Sequence, residues 1–241
     1  MIGTFLNAGA ILVFGAWALL SKRQPSTKVQ NALKGILGVA TIIVGLRWTV
    51  VNLGSGGWGH FFKNVLIILL SLMIGRLLGQ LLRLQKLSNR LGQFAKEKLE
   101  EAKPGQPQRF STGFNVSSLL FCLAPLAFLG AIADGTSEYW QVLAIKAVMD
   151  GLTILAFVVT FGWGVVLSAL PVLAFQGTLA MGARYVSPHV DPGMIASANA
   201  TAGMVIFCVG LVILDLKKIP LTDYLPSVLV APAIVWLWPP W

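Results

Sequence analysis

The sequence predicts an all-α membrane protein, a bundle of about eight transmembrane helices that forms one integral membrane domain over residues 1–241. Of the 241 residues, 56% are hydrophobic and only 11% are charged, whereas soluble domains are about 25% charged. The mean hydropathy is +0.78. All 8 tryptophans lie near the ends of apolar stretches, where an indole ring prefers the headgroup layer.

Polar or glycine-rich segments separate apolar stretches of about twenty residues, the helical length that crosses a hydrocarbon core of roughly 30 Å. The predicted spans cover residues 2–20, 29–51, 61–82, 115–133, 140–161, 163–181, 194–214 and 221–238. Only Phe161-Gly162-Trp163-Gly164 separates the fifth span from the sixth. Residues 140–182 therefore form either two full spans or a re-entrant segment.

The basic residues predict the orientation, because Lys and Arg accumulate in cytoplasmic loops. With the first, third, fifth and seventh connections inside, twelve basic loop residues are cytoplasmic and two, Lys63 and Arg184, are outside. Both termini are then outside the cytoplasm. This pattern explains the net charge of +9 better than nucleic-acid binding, which needs base-stacking aromatics beside a basic surface. The twelve are Lys22, Arg23, Lys28, Arg83, Lys86, Arg90, Lys96, Lys98, Lys103, Arg109, Lys217 and Lys218.

Residues 83–112 are predicted to form a cytoplasmic amphipathic helix and a linker. Leu84, Leu87, Leu91 and Phe94 recur at spacings of three and four, the period of one helix face. We expect this helix on the anionic inner leaflet, where each basic residue gains about 1 kcal/mol. A partner-docking or gating helix is the alternative. The Pro- and Gly-containing residues 103–107 are typical of a flexible linker.

Two short similarities predict an internal repeat of spans 1–3 in spans 6–8. TIIVGL from Thr41 matches IFCVGL from Ile206, and residues 3–14 match residues 164–175 at nearly the same offset. An offset of five spans inverts the second copy, as in many secondary transporters, whose substrates bind near the midplane between the copies. Chance similarity between apolar sequences is the alternative.

Asp150 lies about eleven residues into the fifth span, with Lys146 one helical turn earlier on the same face. A charge at the bilayer centre costs at least about 2.5–3.5 kcal/mol on insertion scales, so such residues pair, face water or mark an ion path. Asp150 is therefore the leading candidate for binding an ion. The structural alternative is a self-neutralising pair that locks the fifth helix against its neighbours.

Polar residues in other spans extend the candidate site. Pro171 lies in the sixth span and predicts a broken helix with a free carbonyl. Interhelical packing is the alternative role for each polar residue taken alone. The predicted ion- or substrate-binding residues are Asp150, Lys146, Ser168, Gln176, Asn7, Ser118 and Asn199.

Other chemistries lack the residues that they need. The sequence shows no paired nucleophile and base for an enzyme. His60 and His189 have no carboxylate or cysteine at a spacing that holds zinc, and phosphate-binding glycine motifs are absent. We therefore predict no enzymatic activity, no metal and no cofactor.

Four segments resemble the YqgA-like family of bacterial inner-membrane proteins, domain of unknown function 554. They are SSLLFCLAPLAFLGAIADG from Ser117, IKAVMDG from Ile145, SALPVLAFQGTL from Ser168 and LKKI from Leu216. The resemblance covers nearly the whole chain. It implies a multi-pass protein of the bacterial inner membrane, for which a sodium channel or pump has been suggested, and it supplies no established functional residues. Gln80 stands where an acidic residue is expected.

The sequence therefore predicts a secondary transporter or channel for a monovalent cation or small solute, with a midplane site around Asp150. A scaffold that recruits a partner through the basic cytoplasmic helix is the alternative. The predicted partners are the lipid bilayer, anionic inner-leaflet lipid and the transported ion or solute, with no nucleic acid. A homo-oligomer is compatible with the sequence.

Overall fold

The computed structural model describes residues 1–21, 26–54, 57–101 and 109–238, and these residues form helices without strands. The predicted all-α class is confirmed. The predicted linker at 103–107, together with Lys22, Arg23, Trp241 and the side chain of Arg109, lies outside the described residues. The helices are α1 (Ile2–Ser21), α2 (Thr27–Asn52), α3 (Trp58–Leu81), α4 (Leu84–Glu101), α5 (Arg109–Leu123), α6 (Pro125–Ser137), α7 (Gln141–Phe161), α8 (Ala169–Val186), α9 (Pro192–Ile213) and α10 (Ser227–Leu237).

Six segments are long and apolar enough to cross a membrane. The pair α5 and α6 meets the same criteria together, but it is bent by 57°. The last apolar segment, Leu221–Leu237, is shorter. The described residues therefore contain six or seven spans, and the eighth stays a prediction. The six segments are Ile2–Ser21, Thr27–Asn52, Trp58–Leu81, Gln141–Phe161, Trp163–His189 and Pro192–Ile213.

Two helix boundaries differ from their predictions. Pro171 does not break the sixth span, because it lies in the first turn of α8, where a missing N–H is tolerated. The irregular part of that span is the 3₁₀ segment Trp163–Ser168 before it. The sharp bend occurs instead in the fourth span, at Pro125. α5 also begins at Arg109, so residues 109–112 belong to this helix rather than to the predicted linker.

A 3₁₀ segment, Trp163–Ser168, follows α7. α7 ends at Phe161, and the residue that caps it, Gly162, has a φ of +80°. Glycine adopts this backbone conformation without a steric penalty. The flanking segments Gln141–Phe161 and Trp163–His189 are each long enough to cross the membrane.

The chain divides into two compact units. Unit 1 comprises Met1–Leu33 and Ser88–Gly182, and unit 2 comprises Lys34–Leu87 and Ala183–Trp241. Each unit therefore combines segments from the first and the second half of the chain.

In unit 1, α1 packs along α7 through one face. The buried residues of α1 recur every three or four positions, as expected for a helix with one face toward a core. Small residues allow close approach, because a Cβ at Gly151 would meet the ring of Phe14. The fully buried apolar residues around this contact include Ile11, Ile154, Phe161, Val165 and Val172.

In unit 2, glycines bring α2 against α9. A Cβ at Gly45 would overlap the backbone of Phe207 and the carbonyl of Gly203, and one at Gly210 would meet Gly38 and Ile42. Such small residues let membrane helices approach closely. The contacts pair Gly38 with Gly210 and Gly45 with Gly203. This reciprocity is what a two-fold axis between matched segments produces, although the inverted repeat itself stays a prediction.

Helix α4 has the predicted amphipathic character over Leu84–Glu101. Ala95 is buried in the apolar core of unit 1, and Leu99 packs against the same core. Leu87 and Phe94 remain 57% and 38% exposed. The helix therefore keeps an uncovered apolar edge.

Candidate functional site

The centre of the candidate site is an ion pair inside unit 1. Lys146 and Asp150 lie one turn apart on α7, and the Lys146 ammonium donates a hydrogen bond to the Asp150 carboxylate. Their side chains are 2% and 10% exposed. The ring of Phe121 lies 5.7 Å from Lys146 Nζ, within the range of a cation–π interaction. Mutual neutralisation lowers the cost of burying both charges in an apolar surrounding.

Two amide side chains from other helices bind each other, and one of them, Asn7, lies beside this pair. Asn7 of α1 donates from Nδ2 to Gln176 Oε1 of α8 at 3.2 Å, and both residues are fully buried. The Asn7 side chain also interacts with the Asp150 carboxylate. We call Asn7, Lys146, Asp150 and Gln176 the polar cluster. The structure thus brings together four predicted site residues that lie up to 169 positions apart in sequence.

The polar cluster is not fully satisfied by the protein. Asn7 Oδ1 and Gln176 Nε2 are buried without a hydrogen-bond partner. Ser168 Oγ and Ser118 Oγ, in the same unit, are also buried without one. Buried polar atoms almost always have a partner, so each orphaned atom indicates a bound water, ion or ligand, or a functional strain. Ser118 lies one turn before Phe121 on α5.

Asp134 is a second buried carboxylate, which the sequence analysis missed. It is 2% exposed in α6, three residues before the end of that helix at Ser137. Its Oδ2 accepts a hydrogen bond from the backbone N–H of Thr4 at 3.3 Å, and its Oδ1 lies 3.3 Å from the Met1 amine. The predicted span ended at 133 because Asp134-Gly135 resembled a loop boundary. Trp140, an interfacial residue type, is the sequence signal that would have extended the fourth span past Asp134.

Asn199, the seventh predicted site residue, is buried in α9 of unit 2, 2% exposed. Unit 2 also contains a cavity of about 90 Å³ between the N-terminal turns of α3 and α9. Ser197 and Ala200 line this cavity, and Asn199 does not. The amides at its rim cap helix ends, since Asn52 donates to Trp48 O and Asn64 donates to Leu53 O. A volume of this size holds about three waters.

The polar cluster has the chemistry of a site for a small cation, a proton or a polar solute. A carboxylate supplies the negative charge, and neutral amide and hydroxyl oxygens are ligands that hard cations accept. Among the described residues, no three His, Cys, Asp or Glu side chains lie together as a transition-metal site requires.

Comparisons with known proteins place the chain among membrane proteins. Residues 2–236 match the family described as "Protein of unknown function (DUF554)". The chain is 26% identical over 238 residues to "Uncharacterized membrane protein YdfK" of Bacillus subtilis, covering 98% of this chain and 96% of the relative. It is 28% identical over 244 residues to "Uncharacterized protein YqgA" of Escherichia coli, covering 100% and 99%. No solved structure shows significant similarity to the chain.

Proposed function

The chain belongs to the DUF554 family of multi-pass membrane proteins, and we propose that it is a small secondary transporter or channel for a monovalent cation or small solute. The path passes through the polar cluster of unit 1, and Asp150 binds the cation. The proposal locates the chain in the bacterial inner membrane with both termini outside the cytoplasm, and it includes no catalytic step.

The observation that supports this proposal is the set of orphaned polar atoms around a buried ion pair. An orphaned buried donor or acceptor costs about 1–3 kcal/mol. Asn7 Oδ1, Gln176 Nε2 and Ser168 Oγ together therefore carry a cost that an apolar side chain would avoid. Packing alone leaves this cost unmet, and a cation or polar solute that binds there, alone or with water, would meet it.

The ion pair provides a means of reversible binding. A cation that enters the cluster competes with the Lys146 ammonium for the Asp150 carboxylate. Conduction requires a site that is favourable enough to enter and weak enough to leave, and this competition limits how tightly the cation is held. The displaced ammonium keeps the ring of Phe121 as a neighbour.

The test is the flux of Na⁺, K⁺ and H⁺ in proteoliposomes that contain the purified chain. We expect Asp150→Asn to lower the flux of the transported cation about tenfold or more, because the charge that offsets its desolvation is lost. Asp215→Asn is the matched control, because Asp215 also pairs with a lysine, Lys34, but is 78% exposed. This control should retain wild-type flux.

Elution as a single monodisperse species in detergent shows that each variant folds. Wild-type flux in a folded Asp150→Asn variant would remove Asp150 from the path. A flux of neutral polar solutes that persists without any cation flux would assign the amides, rather than the carboxylate, to the substrate.

A second surface supports an interaction with lipid. Leu87 and Phe94 are exposed on α4 and lie seven residues apart, on one side of the helix. Lys86 and Arg90 are exposed on the same helix, and Arg83 is exposed just before it. An apolar edge with flanking basic residues fits the headgroup layer of an anionic leaflet. The scaffold alternative would use the same edge for a protein partner. Hydrogen-exchange protection of α4 that requires anionic lipid distinguishes lipid binding from partner binding.

A further inference from the structure

We propose that Asp134 and Thr4 form a second cation-binding position in unit 1, at the N-terminal end of α1, from which a cation passes to Asp150. This inference rests on the proposed function and extends its path. It assigns a role to the buried carboxylate that the polar cluster does not include.

The first support is the environment of Asp134. Its carboxylate is 2% exposed, and Thr4 is fully buried against it. The Thr4 hydroxyl oxygen has no hydrogen-bond partner in the structure. Gly3 makes the approach feasible, because a Cβ there would lie 3.2 Å from Asp134 Oδ2. Thr4 thus supplies a backbone N–H that already binds the carboxylate and a buried hydroxyl that makes no hydrogen bond to it. We place the cation between the carboxylate oxygen and this hydroxyl oxygen.

The second support is the alignment of both positions on one helix face. Thr4 and Asn7 are three residues apart on α1, a rise of about 4.5 Å, and both are fully buried. Asn7 interacts in turn with Asp150. Polar groups thus continue along α1 from Asp134 through Thr4 and Asn7 to the polar cluster. Met1 is 24% exposed at the start of this row, so the Asp134 end lies nearer to the surroundings of the protein.

A purely structural role for Asp134 makes a different prediction. Its carboxylate accepts the Thr4 N–H in the first turn of α1, as a capping residue does, and a negative charge is favourable at a helix N-terminus. Asparagine caps a helix N-terminus about as well as aspartate. A cap also makes no use of the Thr4 hydroxyl. The two roles are therefore separable by removing the charge or the hydroxyl while keeping the capping bond.

The ligand class follows from the atoms. Carboxylate and hydroxyl oxygens bind hard cations, and the negative charge of the carboxylate repels an anion. Because Thr4 and Asn7 lie about one helical turn apart on α1, a cation can pass between the two positions along this helix. Lys146 faces Asp150, so a cation that binds Asp150 must displace this ammonium.

The test combines chemical labelling with flux, on the full chain in lipid. N,N′-Dicyclohexylcarbodiimide modifies buried protonated carboxyls, and mass spectrometry resolves the peptides that contain Asp134 and Asp150. We expect both to be labelled, and the labelling of Asp134 to fall in NaCl relative to choline chloride at equal ionic strength. This fall should persist in Asp150→Asn.

In proteoliposomes, we expect Asp134→Asn and Thr4→Val each to lower cation flux about fivefold or more. Thr41→Val is the matched control. Thr41 is also fully buried, but its hydroxyl is satisfied by Leu37 O at 2.6 Å, so this variant should keep wild-type flux. If Asp134→Asn does not fold, Thr4→Val decides, because it leaves the carboxylate and the capping bond in place.

Three results have distinct meanings. Wild-type flux in Asp134→Asn and Thr4→Val, beside lost flux in Asp150→Asn, would overturn the second position and leave the proposed function intact. Cation-insensitive labelling of Asp134 would overturn it as well. Cation-sensitive labelling of Asp134 in a chain that carries no flux would support the second position while rejecting the transport function.

Discussion

The two units treat their buried hydroxyl and amide groups differently. In unit 2 the hydroxyls of Thr41, Thr49 and Ser71 donate to carbonyls one turn earlier in their own helices. In unit 1 the buried oxygens of Thr4 and Ser168 have no partner. Ser117 is satisfied in unit 1 and Thr201 is not in unit 2, so the contrast is one of degree. The proposed path uses the buried polar groups of unit 1 that lack a partner.

The charged pairs sharpen this contrast. Unit 1 buries Lys146 with Asp150, whereas in unit 2 the pair of Lys34 and Asp215 is exposed, with side chains 50% and 78% accessible. A buried pair is costly to break because one charge is left unpaired. An exposed pair contributes little, because solvent screens it. Unit 2 also buries Lys63 and Asp223, which are 8% and 6% exposed, so both units bury charge, and the proposed path uses the buried pair of unit 1.

The largest expected effect on stability comes from breaking the buried pair. Lys146→Met should lower the free energy of unfolding by about 3–5 kcal/mol, because it leaves the Asp150 carboxylate alone in an apolar core. Adding Asp150→Leu should restore most of that loss. Lys34→Met in unit 2 should cost less than about 1 kcal/mol. Denaturant unfolding in detergent micelles measures all three. Equal losses for the two lysines would show that unit 1 is hydrated throughout.

The next effect concerns the glycine contact between α2 and α9. Gly45→Ala should destabilise unit 2 by about 1–3 kcal/mol, because the new methyl group would overlap the backbone of Phe207, which cannot move as a side chain can. Gly35→Ala is the matched control in the same helix, with no atom within 4 Å of the added Cβ. It should be neutral or slightly stabilising. A tolerated Gly45→Ala would mean that the two helices can separate at little cost.

Removing single hydroxyls should have opposite results in the two units. Thr49→Val deletes a hydroxyl that donates to Gly45 O and Ala200 O and should cost about 0.5–1.5 kcal/mol of stability without changing flux. Ser168→Ala deletes an orphaned hydroxyl and should leave stability unchanged or higher while lowering flux. Unfolding and flux measured on the same preparations test both. A destabilised Ser168→Ala with normal flux would remove the contrast between the units.

The smallest effect on stability is expected on α4. Reversing Arg83, Lys86 and Arg90 to Glu should change the free energy of unfolding by less than about 0.5 kcal/mol, as surface substitutions do. It should abolish the additional hydrogen-exchange protection of α4 in nanodiscs that contain anionic lipid. Lys96→Glu is the control, because Lys96 pairs with Glu100 away from the apolar edge. Protection that appears only with a cell extract, and in neutral lipid too, would favour a protein partner.

The sequence predicts the parts of this arrangement that depend on local spacing. The pair of Lys146 and Asp150 follows from the helical period, and so does the amphipathic face of α4. Asn7 and Gln176 are each predicted site residues because they are polar side chains inside apolar spans. Their contact joins two helices far apart in the chain, so sequence spacing could not predict it. Whether a serine or threonine bonds to its own helix depends on side-chain rotation, which composition does not reveal.

Boundaries were harder to predict than spans. Pro125 and Pro171 both lie in the first turn of a helix, yet only Pro125 lies at a bend. The backbone is extended at Ala124, before Pro125, whereas it stays right-handed helical at Ala169, before Pro171. Asp134 was missed for a related reason. It follows a predicted span end, and only the folded helix α6, which continues to Ser137, shows that it lies inside.

The most direct measurement is a crystal structure of the chain grown in a lipid mesophase and soaked with Tl⁺, a monovalent cation with strong anomalous scattering. We predict anomalous density beside the Asp150 carboxylate, within reach of Asn7, and its loss in Asp150→Asn. A cluster in which Asp150, Lys146, Asn7 and Gln176 satisfy one another, with neither cation nor water between them, would contradict the proposed path.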